Sequence, residues 1–394
     1  MQIELSVRES MERIVYPIGD SSFEYIRRNG QFYVDKTSYV YDLVSGSKYY
    51  FLSRPRRFGK SLLVSTLEAY FSGKRELFEG LYIADKESKW LEYPVFHFDF
   101  SMGDMSSADK QRRSLDLKLS EWEKIYGRNE METTFGLRFR GVIHRACGKI
   151  GRNVVILVDE YDNPLFSTFE DHKEHEEIRS TLRDIYSIFK SESAIIRFCF
   201  LTGITRFSKM SLFSGMNNLY DITLLPAYAG ICGITQQELE EQCYAGVESV
   251  GEANGMTYDE TMKVLNEQYD GYHFGDLKLD IYNPFSLIHA FASRKIGSYW
   301  FSRGMLDFLR KRLGNIGSID VLQDTLTPIF DKAAPAEEID GSLSTEEILF
   351  NIGCLTVKKD LGYHIYQLGV PNAEIKEGIM EVLAAGMKEK VLLN

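Results

Sequence analysis

Lys48-Tyr-Tyr-Phe-Leu-Ser-Arg-Pro-Arg-Arg-Phe-Gly-Lys-Ser-Leu-Leu-Val-Ser-Thr-Leu-Glu-Ala-Tyr70 carries the reading of this chain. Residues 48–52 are an apolar run of β-formers, residues 53–61 a tight basic loop closing on Gly59-Lys60-Ser61, and residues 62–70 an amphipathic helix. That order is the order of a phosphate-binding loop. Backbone N–H groups of such a loop, with the N-terminus of the helix behind it, form an anion cradle. Its lysine reaches the β- and γ-phosphates and its serine hydroxyl ligates Mg²⁺. The predicted nucleotide-binding set is Arg54, Arg56, Arg57, Phe58, Gly59, Lys60, Ser61 and Leu62, with Ser61 also a metal ligand. One position departs from G-x-x-x-x-G-K-[ST], because Arg54 stands at the first glycine. The competing reading is a basic turn on the surface.

Outward from the loop, strand and helix signals alternate. Tyr93–Phe100 has period two and is rich in β-formers, placing Asp99 near a strand end. Residues 105–150 read as two polar helices. Val154-Val-Ile-Leu-Val158 is five aliphatics in a row, the pattern of a strand dry on both faces. A helix over 172–190 and a buried strand over Ile195–Thr202 follow. Before the loop, Ser22–Arg28 reads as a short helix, Gln31–Val34 as strand-like, and Asp35-Lys-Thr-Ser38 as the cap of a helix through Leu43. These elements predict an α/β domain over 1–230 with a central parallel sheet. Past Gly230, Thr235-Gln-Gln-Glu238 is a capping box, and helical stretches follow at 235–250, 258–268, 284–293 and 304–314. Residues 231–367 are therefore a mostly helical second domain, closed by a small β-element over Glu347–Val357 and Tyr363–Leu368. A helix follows Pro371-Asn372 in the last segment, 368–394.

Composition narrows the function classes. The 394 residues carry 46 basic and 57 acidic side chains, a net charge of −11, with 44% hydrophobic residues. Such a chain packs cores, and its acidity does not advertise nucleic-acid or anionic-membrane binding. Its five scattered cysteines, without C-x-x-C, argue for reduced thiols in a cytoplasm-like compartment and against structural zinc. The first residues lack the apolar core of a signal peptide. No apolar run of about 18 residues predicts a membrane span.

Asp159 and Glu160 end the aliphatic strand in a Walker B arrangement. Ligands of open α/β sheets bind at the carboxyl ends of strands, where the loop also lies. Asp159 is the predicted Mg²⁺ ligand and Glu160 the general base toward water. Arg206, just past the next strand, is the candidate catalytic cation; Thr202 and Thr205 are alternatives as γ-phosphate sensors. The structural alternative for Arg206 is a pair with Asp221. Asp162 is read as a turn cap and Asp99 as a bystander near the site. His172 and His175 lie three apart on a charged helix face. Asp360, Glu374 and Lys376 mimic a D…E-x-K nuclease set, with too little chain after Lys376 to surround it with a sheet. Tyr269-Asp-Gly-Tyr-His-Phe274 is read as core or interface packing.

With these residues in hand, the chain resembles the bacterial and archaeal AAA-ATPase-like proteins, often fused to a C-terminal PD-(D/E)XK-type nuclease domain. The resemblance rests on Tyr16-Pro-Ile-Gly19, Phe32-Tyr-Val-Asp-Lys-Thr37, Ser53–Ser61, Val158-Asp-Glu-Tyr-Asp162, Leu201-Thr-Gly-Ile-Thr-Arg206 and Tyr269–Phe274. It implies that Arg54 at the first glycine is the family's own pattern. It also implies an additional-strand P-loop NTPase core similar to AAA+ and STAND ATPases, followed by a helical or winged-helix region. The roles of Lys60, Ser61, Asp159 and Glu160 carry over onto matching positions, and that of Arg206 less firmly. Gln367–Glu374 looks like the linker and first helix of the family's nuclease domain. That domain is expected to be absent or truncated here, so nuclease activity is not carried over.

Three functional readings compete. The leading one is Mg²⁺-dependent ATP binding with slow hydrolysis, coupling nucleotide state to an attached or partner module. The second is a non-catalytic nucleotide-binding scaffold for protein partners or a second copy; Glu160 speaks against it, since a scaffold needs no base beside Asp159. The third is a nucleic-acid-processing protein, disfavoured by the acidic balance. The absence of an N-K-x-D guanine motif favours ATP over GTP.

Overall fold

The computed structural model describes residues 14–101, 103, 105, 107–166, 168, 171–205, 218–302, 305–306, 309, 325–328, 344–363 and 365–392. Arg206 lies outside them, as do Arg303 and Arg310, the candidates in the sequence for a cation supplied by a neighbouring copy, so the cation predicted at 206 has no structural account.

Five parallel strands build the central sheet: β1 (Tyr49–Ser53), β2 (Val95–Asp99), β3 (Val154–Asp159), β4 (Ile196–Gly203) and β5 (Tyr220–Asp221), in the order β2-β3-β4-β1-β5. Every residue of β1 and β3 is buried. Helices cover both faces of a sheet like this, so neither face of a central strand meets water and no polar alternation is needed. Alternate residues serve two cores. Tyr50, Leu52, Val155 and Leu157 face one; Tyr49, Phe51, Val154, Ile156 and Val158 face the other. The helices of this part are α1 (Phe23–Arg28), α2 (Thr37–Ser45), α3 (Lys60–Phe71), α4 (Tyr82–Lys86), α5 (Ala108–Tyr126), α6 (Phe135–Ile150), α7 (Asn163–Phe166) and α8 (His172–Ser191). α3 closes the first core with Leu63, Val64 and Leu67, while α5, α6 and α8 close the second with Trp122, Phe139 and Phe189 among others. Ser22, Ser107, Thr134 and Asp171 accept hydrogen bonds from the first turns of α1, α5, α6 and α8 and so satisfy N–H groups that have no intrahelical acceptor.

After residue 230 come a two-stranded antiparallel pair, β6 (Ile234–Thr235) with β7 (Ile281–Tyr282), and the helices α9 (Gln236–Gln242), α10 (Tyr244–Asn254), α11 (Tyr258–Tyr269) and α12 (Pro284–Ser293). The predicted capping box forms: Thr235 caps Glu238 N–H and the Glu238 carboxylate accepts from Thr235 N–H. A three-stranded antiparallel sheet, β8 (Thr325–Pro328), β10 (Ile365–Gly369) and β9 (Thr356–Asp360), follows together with α13 (Thr345–Asn351) and α14 (Ala373–Leu392).

Two local expectations are corrected. Gln31–Val34 pairs with no strand among the described residues. Its alternation is real: Phe32 and Val34 pack on one cluster and Tyr33 on another, and the segment wedges between them. Residues 347–351 are helical, because Ser344 and Glu347 close a capping box over Leu349 and Phe350, which are buried. Within Glu347–Val357, the strand begins only at Thr356.

The first core does not stop at the sheet. Tyr272, Phe274, Trp300, Leu349, Leu368 and Ile375 join it, so the loop side of the sheet and the later elements share one interior. Within Tyr269–Phe274, Asp270 is buried, and burial raises its carboxyl to about 7, against the pull of the Gly271 N–H. An unfolded aspartate titrates near 4. Between those values the folded chain keeps a proton that the unfolded chain releases, so stability falls as pH rises from about 4 to about 7 and levels off above. The slope from this group is at most about 1.4 kcal/mol per pH unit. Asp270→Asn is expected to flatten it. Urea midpoints of both proteins at pH 5 and pH 7.5 check this; parallel curves would remove Asp270 as the cause.

Candidate nucleotide site

β1 delivers the chain to the carboxyl edge of the sheet, between β4 and β5. There Arg54 N–H bonds the Gly203 carbonyl at 3.2 Å, and the chain leaves the sheet. Arg57 (φ 66°) and Gly59 (φ 94°) both take left-handed backbone and curl the loop back onto α3. Glycine at 59 adopts this at no steric cost; arginine at 57 does so only under constraint. Gly59 caps α3, its carbonyl accepting from Leu63 N–H at 3.0 Å. The N–H groups of Lys60, Ser61 and Leu62 precede the first intrahelical bond and are left for a ligand. Lys60 is 4% exposed, and its ammonium donates across the loop to the Pro55 carbonyl at 3.0 Å. Two of its three protons remain for an anion.

The acidic side of the site comes from β3. Asp159 is buried, and the Ser61 hydroxyl acts on its carboxylate from the start of the helix. Burial raises the Asp159 carboxyl, while the Ser61 hydroxyl and the Lys60 ammonium pull it down. Glu160 follows in left-handed backbone (φ 51°), a strained conformation for glutamate. Its carboxyl is raised by burial, lowered by Lys60 and raised again by Asp159. Lys60, Ser61, Asp159 and Glu160 therefore converge from two elements about 100 residues apart in sequence. Asp99 is the cross-strand partner of Asp159 on β2. On the other side, Val158 pairs with Leu201, so Thr202 continues the same row. Thr202 is wholly buried and its hydroxyl finds no partner among the described residues.

Asp162, read from sequence as a turn cap, instead reaches across to the end of β4. Its Oδ2 accepts from Ile204 N–H (3.0 Å), Thr205 N–H (2.7 Å) and the Thr205 hydroxyl (2.6 Å). Tyr161 packs so closely over Gly203 that a Cβ there would stand 2.5 Å from its ring. This clasp fixes the segment after β3 against the segment after β4, and with it the orientation of Glu160.

A family model described as a predicted AAA-ATPase matches residues 17–213, half of the chain and all of the site just described. The chain belongs to the AAA-ATPase-like family. A relative described as an uncharacterized protein in the vnfD 5′ region of Azotobacter chroococcum mcd 1 is 34% identical over 382 residues, spanning 95% of this chain and 70% of that protein. The family brings nucleotide binding with it as the coarse function.

Two predicted phosphate contacts of this AAA-ATPase-like chain are corrected. The Arg54 side chain is 1% exposed and donates to the carbonyls of Ser53, Thr223 and Tyr228 at 2.9, 2.6 and 2.9 Å, with the Phe274 ring against its guanidinium. Burial lowers its pKa to about 10. The Arg57 side chain donates to the carbonyls of Tyr299 (3.2 Å) and Trp300 (2.6 Å) over the Phe285 ring. Both guanidiniums are held by protein and hold the loop in place. Phe58 is fully buried against Tyr272, Phe274 and Trp300, so only its backbone can serve a ligand. Arg56 is exposed.

The donor set fits Mg²⁺: the Ser61 hydroxyl and Asp159 carboxylate are hard oxygen ligands of the kind that share the ion with phosphates. Among the described residues, no group of three or more His, Cys, Asp or Glu forms a metal cage. His172 and His175 open α8 on a polar face, and Glu374 is buried and hydrogen-bonded away from any such role. No helix among the described residues is long and apolar enough to cross a membrane, and all five cysteines are free thiols.

Proposed function

We propose that this chain binds ATP with Mg²⁺ and hydrolyses it slowly. The observation that supports this most is the meeting of the Ser61 hydroxyl with Asp159, with the Lys60 ammonium acting on both Asp159 and Glu160. The N–H groups of Gly59 to Leu62 and Lys60 bind the phosphate chain. Ser61 and Asp159 hold Mg²⁺, which when bound offsets phosphate charge. Glu160, raised by burial, takes the proton of the attacking water. Thr202, with its unpaired buried hydroxyl in the Asp159 row, reads the γ-phosphate.

Nucleotide state passes to the later elements through the loop itself. Arg57 grips the carbonyls of Tyr299 and Trp300, whose N–H groups donate to the Glu374 carboxylate in the first turn of α14. A partner module or second copy would be addressed along this line. Calorimetric titration with ATP and with GTP, each with and without Mg²⁺, tests the proposal together with phosphate release. Mg²⁺-dependent binding that prefers ATP is expected. No binding of either nucleotide would sink it.

A further inference from the structure

The loop carries four cations, and the structure uses three of them. Arg54 is spent on three carbonyls and Phe274, Arg57 on two carbonyls and Phe285, and Lys60 spans the loop to Pro55. Arg56 alone among them is exposed and has no hydrogen-bond, ion-pair or ring partner among the described residues. It is not a floppy surface residue by mounting. Its neighbours Pro55 and Arg57 are fixed, one as the acceptor for Lys60 and the other by the Tyr299–Trp300 carbonyls, and Phe58 is locked in the core. The backbone of residue 56 is held between these fixed neighbours while its side chain is exposed. Its charge reaches Glu160, whose carboxyl it helps to lower.

We propose that Arg56 is the catalytic cation of the reaction, supplied by the loop of the same chain. This rests on the hydrolytic reading above. In that step water attacks the γ-phosphorus as Glu160 takes a proton, the bond to the β,γ-bridging oxygen breaks, and ADP leaves with the electron pair and inorganic phosphate forms. Negative charge moves onto the bridging and peripheral oxygens, and a guanidinium beside them stabilises it more in the transition state than in the bound substrate. Arginine cations in this role are worth about 10³–10⁵ in turnover. A guanidinium with no ion-pair partner among the described residues is available to that charge.

Arg56→Ala and Arg56→Lys are compared with wild type for kcat, KM, ADP affinity, and affinity for ADP with Mg²⁺ and aluminium fluoride. Arg56→Ala is expected to lose at least about 100-fold in kcat. ADP affinity should change little, whereas the aluminium fluoride complex should weaken in step with kcat. Lysine should rescue part of the loss, having charge without the planar fork. Mixing Arg56→Ala with Lys60→Ala should restore nothing. Unchanged kcat in Arg56→Ala beside an active wild type overturns this role and leaves the hydrolytic reading standing. Equal losses in ADP affinity and turnover would make Arg56 a phosphate anchor only and overturn it. Recovery on mixing would place the cation in trans and overturn it too. A wild type that binds nucleotide without turnover overturns both readings at once.

Discussion

Lys60→Ala is expected to weaken ATP binding by about 100-fold and to abolish measurable turnover, from the loss of a charge-assisted contact to phosphate together with the bridge that shapes the loop. Lys60 is almost wholly buried and bonds the Pro55 carbonyl, so its ammonium positions the curl as well as facing the ligand. Its positive charge also lowers both the Asp159 and the Glu160 carboxyl. Its removal leaves two buried carboxyls with less reason to ionise, and a phosphate chain entering beside them meets less attraction. A thermal unfolding midpoint near that of wild type separates this effect from misfolding. Titration with a fluorescent ATP analogue gives the affinity. Wild-type affinity in a folded Lys60→Ala protein would mean that the phosphates bind elsewhere.

Glu160→Gln has the opposite profile. The amide keeps the size of the side chain and inherits the same left-handed backbone, so the local strain is unchanged. It cannot accept a proton from water. Loss of general-base help costs about 10²–10⁴ in rate, while removal of a negative charge beside a polyphosphate leaves affinity equal or tighter. The pH profile supplies an independent sign. Burial holds the Glu160 carboxyl above the ordinary carboxylate range, against the Lys60 charge. The base is active only when ionised, so wild-type turnover should rise with pH through that raised value and level off above it. The variant should lack this limb. Equal turnover in wild type, Lys60→Ala and Glu160→Gln would reject the catalytic assignment altogether.

Much of the sheet and half of the site are legible in the chain because local pattern determines them. A doubly buried strand must be apolar throughout, so Val154–Val158 announces itself; Gly59-Lys60-Ser61 behind an apolar run announces the loop. The roles of Arg54 and Arg57 are not legible for a different reason. Their charge points to phosphate, but their acceptors are carbonyls of Thr223, Tyr228, Tyr299 and Trp300, some 170 to 240 positions away. No local signal distinguishes a cation already satisfied from one left free. Asp162 was misassigned likewise, because its partners at 204 and 205 become neighbours only once β3 and β4 pair. Gln31–Val34 alternates as a strand does, yet its two sides meet two side-chain clusters and no backbone ladder. β5 is two residues long, too short for any periodicity.

The bracing of the loop from far along the chain decides what can be cut out and still work. The stretch 17–213 that defines the family contains every group proposed for chemistry. It ends before Thr223 and Tyr228, which receive Arg54, and before Tyr272, Phe274 and Trp300, which enclose Phe58. A fragment trimmed to those limits would present an unanchored arginine and a solvent-facing phenylalanine where the intact chain has a rigid mount. The portable unit of this site is thus larger than its recognisable signature, and transplanting the signature alone would move the letters without the clamp.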